Sequence, residues 1–197
     1  MTDAAFTLFD TGIGRCGIAW RGGKVVGLQL PESRDAVTEA RMLRRVGGAE
    51  PGAPDGPIAD AIARIVALLG GAPSDLDPIV LDMDGVPEFD RRVYAVARGV
   101  PPGATTTYGA IATELGDSRN ARAVGHALGQ NPFPIVVPCH RVLGADGKLG
   151  GFSANGGRET KLRMLAIEGA VIERAETAGT GSLFDDLPLA VAPARRR

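Results

Sequence analysis

Asn131-Pro132-Phe133-Pro134-Ile135-Val136-Val137-Pro138-Cys139-His140-Arg141 is the stretch from which the rest of this 197-residue chain is read. An apolar run carries the backbone into a core, and then Pro, Cys, His and Arg follow in direct succession. Free cysteine is a poor nucleophile at neutral pH until something lowers its pKa or removes its proton. His140 is the adjacent candidate base, acting directly or through water. Neighbours in an extended segment point to opposite sides, so a water bridge or a turn is the geometry to expect. Glu168 is a candidate to orient that base. It ends its helix, where the macrodipole disfavours an anion, so a cationic or proton-donating partner would account for it. The alternative is a solvated surface glutamate.

Upstream, Phe89, Val93 and Val96 predict a helix that stops before Gly99 and Pro101-Pro102. Thr107 caps a next helix that buries Tyr108, Ile111, Ala112 and Leu115. Gly116-Asp117 breaks it, and Ser118 caps a third with Ala121, Val124 and Leu128 on one side. Two short helices around a tight Gly-containing turn describe a helix-turn-helix, whose second helix usually enters a DNA groove; an ordinary helical hairpin is the bland alternative. Downstream, a last helix from about Arg158 to Glu168 stops at Gly169, with Glu159 and Arg163 as a surface pair.

Further out, Phe6 and Leu8 open a β-hairpin. Cys16, Ile18 and Trp20 share one face, Gly22-Gly23 turns the chain, and Val26, Leu28 and Leu30 share a face again. Cys16 reads as a small apolar core residue. Two helices follow, with stripes at Ala36, Ala40, Leu43 and at Ile58, Ile62, Ile65, Leu69. The acidic, Pro-bearing residues 70–88 connect to a second domain. The expected fold is thus α/β: an N-terminal sheet-and-helix domain over 1–84, and a mostly helical domain over 85–176 that holds the helix-turn-helix and Cys139. A Gly/Ala/Pro-rich tail over 177–197 is expected to be disordered; in it Ser182-Leu183-Phe184 faintly resembles a sliding-clamp-binding peptide.

Two cysteines exclude a disulfide scaffold, and with only two histidines a structural zinc site would take nearly the whole supply. No apolar run or basic-then-apolar leader argues for a membrane, so a cytoplasmic protein is expected. The net charge of -1 hides an asymmetry. Residues 32–90 carry net -7, and residues 91–141 carry net +4 through Arg91, Arg92, Arg98, Arg119, Arg122 and Arg141. One surface can therefore meet phosphates while the rest stays acidic.

Pro138-Cys139-His140-Arg141 after an apolar run, with Asn131-Pro132 before it, resembles the active-site signature of the O6-alkylguanine-DNA alkyltransferases. The resemblance covers about residues 85–170. It takes in Phe89 to Tyr94, Thr107-Tyr108-Gly109 with Ile111-Ala112, Ala121-Arg122-Ala123-Val124-Gly125, Gly150-Gly151-Phe152-Ser153, and Leu165 to Gly169. It implies that Cys139 accepts an alkyl group and that His140 deprotonates it through a water held by Asn131, with Glu168 holding His140. Tyr108 would help swing the nucleotide out and donate to guanine N3. Arg122 would fill the gap in the base stack from a recognition helix whose small residues Ala121, Ala123 and Gly125 lie close to the minor groove. Ser153 and the backbone of Cys139 and Val142 would line the guanine pocket, with Leu128, Pro134 and Phe152 as apolar walls and Arg141 among the DNA-binding positions. The implied partner is duplex DNA met by a monomer, with no cofactor, metal or membrane.

The alkyl carbon of such a lesion lies inside a base stack, so the nucleotide must be flipped, at a few kcal/mol. Transfer to sulfur makes a thioether, and each molecule would act once. Two other readings are a non-catalytic lesion binder that recruits repair factors, against which Cys139 argues, and a turning-over Cys-His-Glu hydrolase. Four positions depart from the pattern: His126 on the recognition helix, Phe152 in place of a tyrosine, and Asp90 and Tyr94 in the Phe89–Tyr94 stretch.

Overall fold

The computed structural model describes residues 4–149, 151, 152 and 154–170. Ser153 and the tail beyond residue 170, with its clamp-like peptide, lie outside the described residues. Strands β1 (Ala5–Thr11), β2 (Gly14–Arg21) and β3 (Lys24–Gln29) form an antiparallel meander, and the short β4 (Glu50–Pro51) adds in parallel to β1, giving the order β3-β2-β1-β4. Between β2 and β3, Gly22 and Gly23 have φ of 54° and 75°. A tight hairpin needs that left-handed backbone at both central positions, and glycine supplies it without steric cost.

The expected face for β3 needs correction. Gly27 pairs with Ala19 and Val25 with Trp20, so Val26 is an extra residue at a β-bulge. The bulge turns Val25 and Leu28 to the main core while Val26 packs on the other face. Cys16, Ile18 and Trp20 do share the core face, and the Cys16 thiol is pushed up to about 12 by burial, partly offset by Thr11.

Helix α1 (Asp35–Val46) covers the second face. The expected stripe is displaced here too: Ala36 and Ala40 are exposed, whereas Thr38 and Met42 are buried. The Thr38 hydroxyl accepts from Glu32 N at 3.0 Å, which fixes how the chain enters the helix. Met42, one turn later, then fills the space over Phe6 and Ala19. Helix α2 (Gly56–Leu69) buries Ile58, Ile65 and Leu69 as its stripe foretold, with Ile62 half-buried.

The connection to the second half is held in place. Val25 N donates to Val80 O at 2.9 Å and Asp82 N to Val25 O at 2.8 Å, so residues 80–82 run along the edge of β3. From helix α3 (Glu88–Arg98), Arg98 Nη2 reaches the carbonyls of Leu76, Asp77 and Ile79 at 3.1–3.3 Å. Strand β5 (Thr106–Thr107) leads into α4 (Tyr108–Glu114), a 3-10 turn (Ser118–Asn120) and α5 (Ala121–Gly129). The Thr107 hydroxyl caps α4 by accepting from Ala110 N, as the sequence suggests. Asp117, rather than Ser118, caps the next turn by accepting from Arg119 N. A short β6 (Val142–Leu143) and helix α6 (Arg158–Ile167) complete the described residues. Arg163 donates to Gly12 O at 2.6 Å instead of pairing with Glu159, so α6 is tied to the first hairpin.

One contiguous apolar core runs from Ile18, Trp20 and Ile65 to Val93, Tyr94, Val124 and Met164. None of the described helices is long and apolar enough to cross a membrane. Within the N-terminal half the first hairpin turn meets the end of α2 closely at Gly12, where an added Cβ would lie 2.1 Å from Leu69 O. Backbone must then move, at roughly 1–3 kcal/mol. Gly12→Ala should therefore lower the thermal unfolding midpoint by several degrees; an unchanged midpoint by calorimetry would mean the approach is not tight.

Candidate active site

Backbone pairing builds the site. Thr106 pairs with Val142 and Thr107 with Leu143 in a parallel ladder, which sets the start of α4, and so Tyr108, beside the segment carrying Cys139. Within that segment Asn131 is a staple: its Oδ1 accepts from Phe133 N and its Nδ2 donates to Val137 O, both at 2.9 Å. Val137 N donates in turn to Phe133 O at 2.8 Å. The tight loop so formed holds Ile135 at φ 79°, a left-handed backbone that costs a β-branched residue strain. Cys139 then opens a 3-10 turn, Cys139–Arg141, so the turn foreseen for the Cys-His pair is present.

Behind the cysteine lies a buried ionic array. Glu168 caps the C-terminal end of α6, and its side chain has no exposure. Its Oε1 is 2.9 Å from His140 Nε2 and 2.8 Å from Arg141 Nη2, and its Oε2 accepts from Arg141 Nε at 2.8 Å. Arg141 Nη1 donates to Val100 O at 2.5 Å. Burial pushes the Glu168 carboxyl up, but the hydrogen bonds from His140 and Arg141 outweigh it and bring it down to about 2. An ionised carboxylate only accepts, so His140 Nε2 must carry the hydrogen. Burial also lowers the His140 pKa, against the raising effect of Glu168, which keeps the ring neutral at pH 7. In that tautomer Nδ1 is a bare lone pair, buried and without a partner among the described residues. It is a base held ready.

The Cys139 thiol is raised by burial, while a hydrogen bond from Asn131 and the charges of Lys161 and Arg45 pull it down. The resting sulfur is protonated, so nucleophilic attack requires a proton acceptor. Lys161 was not foreseen. It is fully buried, donates to Val142 O at 2.6 Å, and lies 6.0 Å from the centre of the Phe152 ring. The signal was its spacing: Lys161, Met164 and Leu165 share the buried face of α6 at i, i+3, i+4.

In front of the sulfur opens a cavity of ≈ 330 Å³ lined by Tyr108, Gly125, Leu128, Gly129, Cys139, Gly151 and Phe152. That size falls within the range of roughly 300–1,000 Å³ typical of small-molecule sites. Five of the expected site residues thus converge here, joined by Gly151, which the sequence marked only as part of a motif, and by Gly129, which it did not mark. Pro134 lines a neighbouring cavity that also reaches Cys139. Val142 is buried, with its carbonyl engaged by Lys161, and is off the cavity wall. Arg141, expected among the DNA-binding positions, turns inward because Glu168 and Val100 take its donors. On α5, Arg122 and His126 are exposed, and Ala121, Ala123 and Gly125 are half-buried. Among the described residues no group of three or more His, Cys, Asp or Glu side chains could hold a metal.

Glu168→Gln removes the counter-charge of a buried guanidinium and should destabilise the protein by about 3 kcal/mol or more. The sign with pH follows from the depressed carboxyl. Its contribution is complete above the ordinary value of 4.5 and is lost as pH falls towards about 2. Urea midpoints across that window should fall more steeply for the wild type than for Glu168→Gln; parallel curves would show that the carboxylate carries no such load.

Residues 88–170 match the family model described as the DNA binding domain of 6-O-methylguanine DNA methyltransferase. The chain is 43% identical over 127 residues to a methylated-DNA–protein-cysteine methyltransferase of Mycolicibacterium paratuberculosis, covering 64% of this chain and 72% of the relative. It is 36% identical over 159 residues to that of Mycobacterium leprae, covering 81% and 88%. Among solved structures it is similar to the Mycobacterium tuberculosis O6-methylguanine methyltransferase, with a TM-score of 0.69, 32% identity and coverage of 88% and 96%. It is also similar to the Mycobacterium tuberculosis OGT in complex with DNA, with a TM-score of 0.66, 32% identity and coverage of 84% and 92%. A Pro-Cys-His-Arg turn backed by an ionised glutamate, in a fold matched along most of its length, makes this chain a member of the methylated-DNA–protein-cysteine methyltransferase family.

Proposed function

We propose that this protein repairs O6-alkylguanine in duplex DNA by moving the alkyl group irreversibly to Cys139, with residues 85–176 as the DNA-binding and transfer domain. The observation that carries the reading is one sulfur that faces a ≈ 330 Å³ cavity while a neutral imidazole stands beside it in the chain. The lesion enters that cavity as a flipped nucleotide, at a cost of a few kcal/mol that a poorly paired base reduces. Helices α4 and α5 act as a helix-turn-helix laid against the minor groove, where Ala121, Ala123 and Gly125 allow close approach. Arg122 fills the vacated stack. Tyr108, on the cavity wall, donates to guanine N3.

In the chemical step the S–H proton passes towards His140 Nδ1, by way of a water near Asn131. Sulfur forms a bond to the alkyl carbon, and the bond from that carbon to guanine O6 breaks with its electron pair on the base. A thioether is a poor substrate for reversal, so the protein is spent, acting as a monomer and without a cofactor. A lesion binder that only recruits partners would not require the thiol or its base. Alkylthymine is a second substrate that the same chemistry admits.

Incubation with a duplex oligonucleotide holding O6-methylguanine should add one methyl group per molecule at Cys139, read by intact and peptide mass spectrometry. Unchanged mass with a free thiol would sink the proposal. Cys139→Ala should bind that duplex and gain no mass. Arg122→Ala should slow repair of the duplex by about tenfold or more, the loss of roughly 1.4 kcal/mol of flipped-state stabilisation, and slow reaction with a free alkylguanine base far less. Equal slowing on both substrates would remove the finger role.

A further inference from the structure

A second cavity, of ≈ 30 Å³, shares Leu128, Cys139 and Phe152 with the first. Its remaining wall comes partly from Asn131, Pro134 and Ala154 and partly from the N-terminal half, through Gln29, Leu30, Arg41 and Arg45. The room suffices for about two waters, or for a short substituent on the transferred carbon. A purine ring does not fit.

The charges of this wall are unequal. Arg41 is matched by Glu32, at 2.6 Å, and Gln29 Nε2 also donates to that carboxylate at 3.2 Å. Arg45 is different. Its Nη1 donates to Asn131 O at 3.4 Å, and among the described residues it has no carboxylate within ion-pair distance. Burial and the neighbouring Arg41 both disfavour its charge, and Cys139, Tyr94 and Glu32 supply the raising influences. Gln29 places nearby an amide oxygen that has no partner among the described residues, a dipole that the full charge of Arg45 outweighs. A guanidinium with no carboxylate partner among the described residues, in the wall of a small recess that opens at the reacting sulfur, suits an anionic end on a short alkyl group.

Building on the alkyl-transfer reading, we propose that Arg45 makes this protein competent for O6-alkylguanines whose alkyl group ends in a carboxylate, carboxymethyl being the smallest. The guanine sits in the larger cavity and the carboxylate in the smaller one, against the Arg45 guanidinium. Cys139 Sγ bonds to the methylene carbon, that carbon's bond to O6 breaks with the electron pair on guanine, and the thiol proton leaves towards His140. The product is S-carboxymethylcysteine, with its carboxylate still paired to Arg45. Arg45 is thereby a specificity residue contributed by the N-terminal half.

The test measures second-order transfer rates from two duplex oligonucleotides, one with O6-carboxymethylguanine and one with O6-methylguanine, and compares their ratio between variants. Arg45→Met should lower the carboxymethyl-to-methyl ratio by about fivefold or more, the loss of a charge-assisted hydrogen bond. Arg45→Glu should lower it further, and Arg45→Lys should retain most of it. Methyl transfer by each variant reports that it is folded. Rates that fall in parallel on both substrates would assign Arg45 to the thiol or to DNA and overturn the proposal, as would an unchanged ratio. A wild type that transfers methyl but no carboxymethyl overturns it too. A wild type that transfers neither overturns the alkyl-transfer reading itself.

Discussion

The site depends on one carboxylate that stays ionised where there is no water to solvate it. Glu168 is tolerable at the C-terminal end of a helix, and out of solvent, because Arg141 meets it with two parallel hydrogen bonds and His140 with a third. In return it fixes the hydrogen of His140 on Nε2 and leaves Nδ1 as the acceptor. Position and tautomer of the base follow from this one buried carboxylate, and its neutral state follows from burial, which outweighs the pull of Glu168.

That arrangement makes sense of a thiol held above its ordinary pKa. A sulfur kept as a standing thiolate would meet every electrophile that reaches it. Burial keeps Cys139 protonated, and Asn131, Lys161 and Arg45 soften the penalty from three directions. The proton can leave only when the base, the sulfur and an electrophile are assembled together. The strain at Ile135 belongs to the same design, since the loop stapled by Asn131 aims the sulfur at the cavity rather than into the core.

Much of this was legible in the sequence because it is local. The stripe Ile58, Ile65, Leu69, the Thr107 cap, the Gly22-Gly23 hairpin and the Cys-His pair are set by neighbours within a turn or two. What escaped is tertiary. The bulge at Val26 is a property of two strands, and the rotation of α1 follows from a hydrogen bond between Thr38 and Glu32. Arg141 reads as a DNA-binding cation and Lys161 goes unmarked until their partners, Glu168 and the Val142 carbonyl, fold over them. The Glu168 cluster lay in between: the sequence paired Glu168 with His140 but gave no sign that Arg141 joins them.

The clasp of Arg98 on three carbonyls of the connection has a consequence for how the halves behave. A tether fastened at Leu76, Asp77 and Ile79, and again at Val80 and Asp82, has little slack. The sheet, with the helix α1 that packs on it and carries Arg45, is thereby registered against the segment that carries Cys139, and the relative placement of two pieces of chain remote in sequence becomes a fixed dimension of the catalytic cleft.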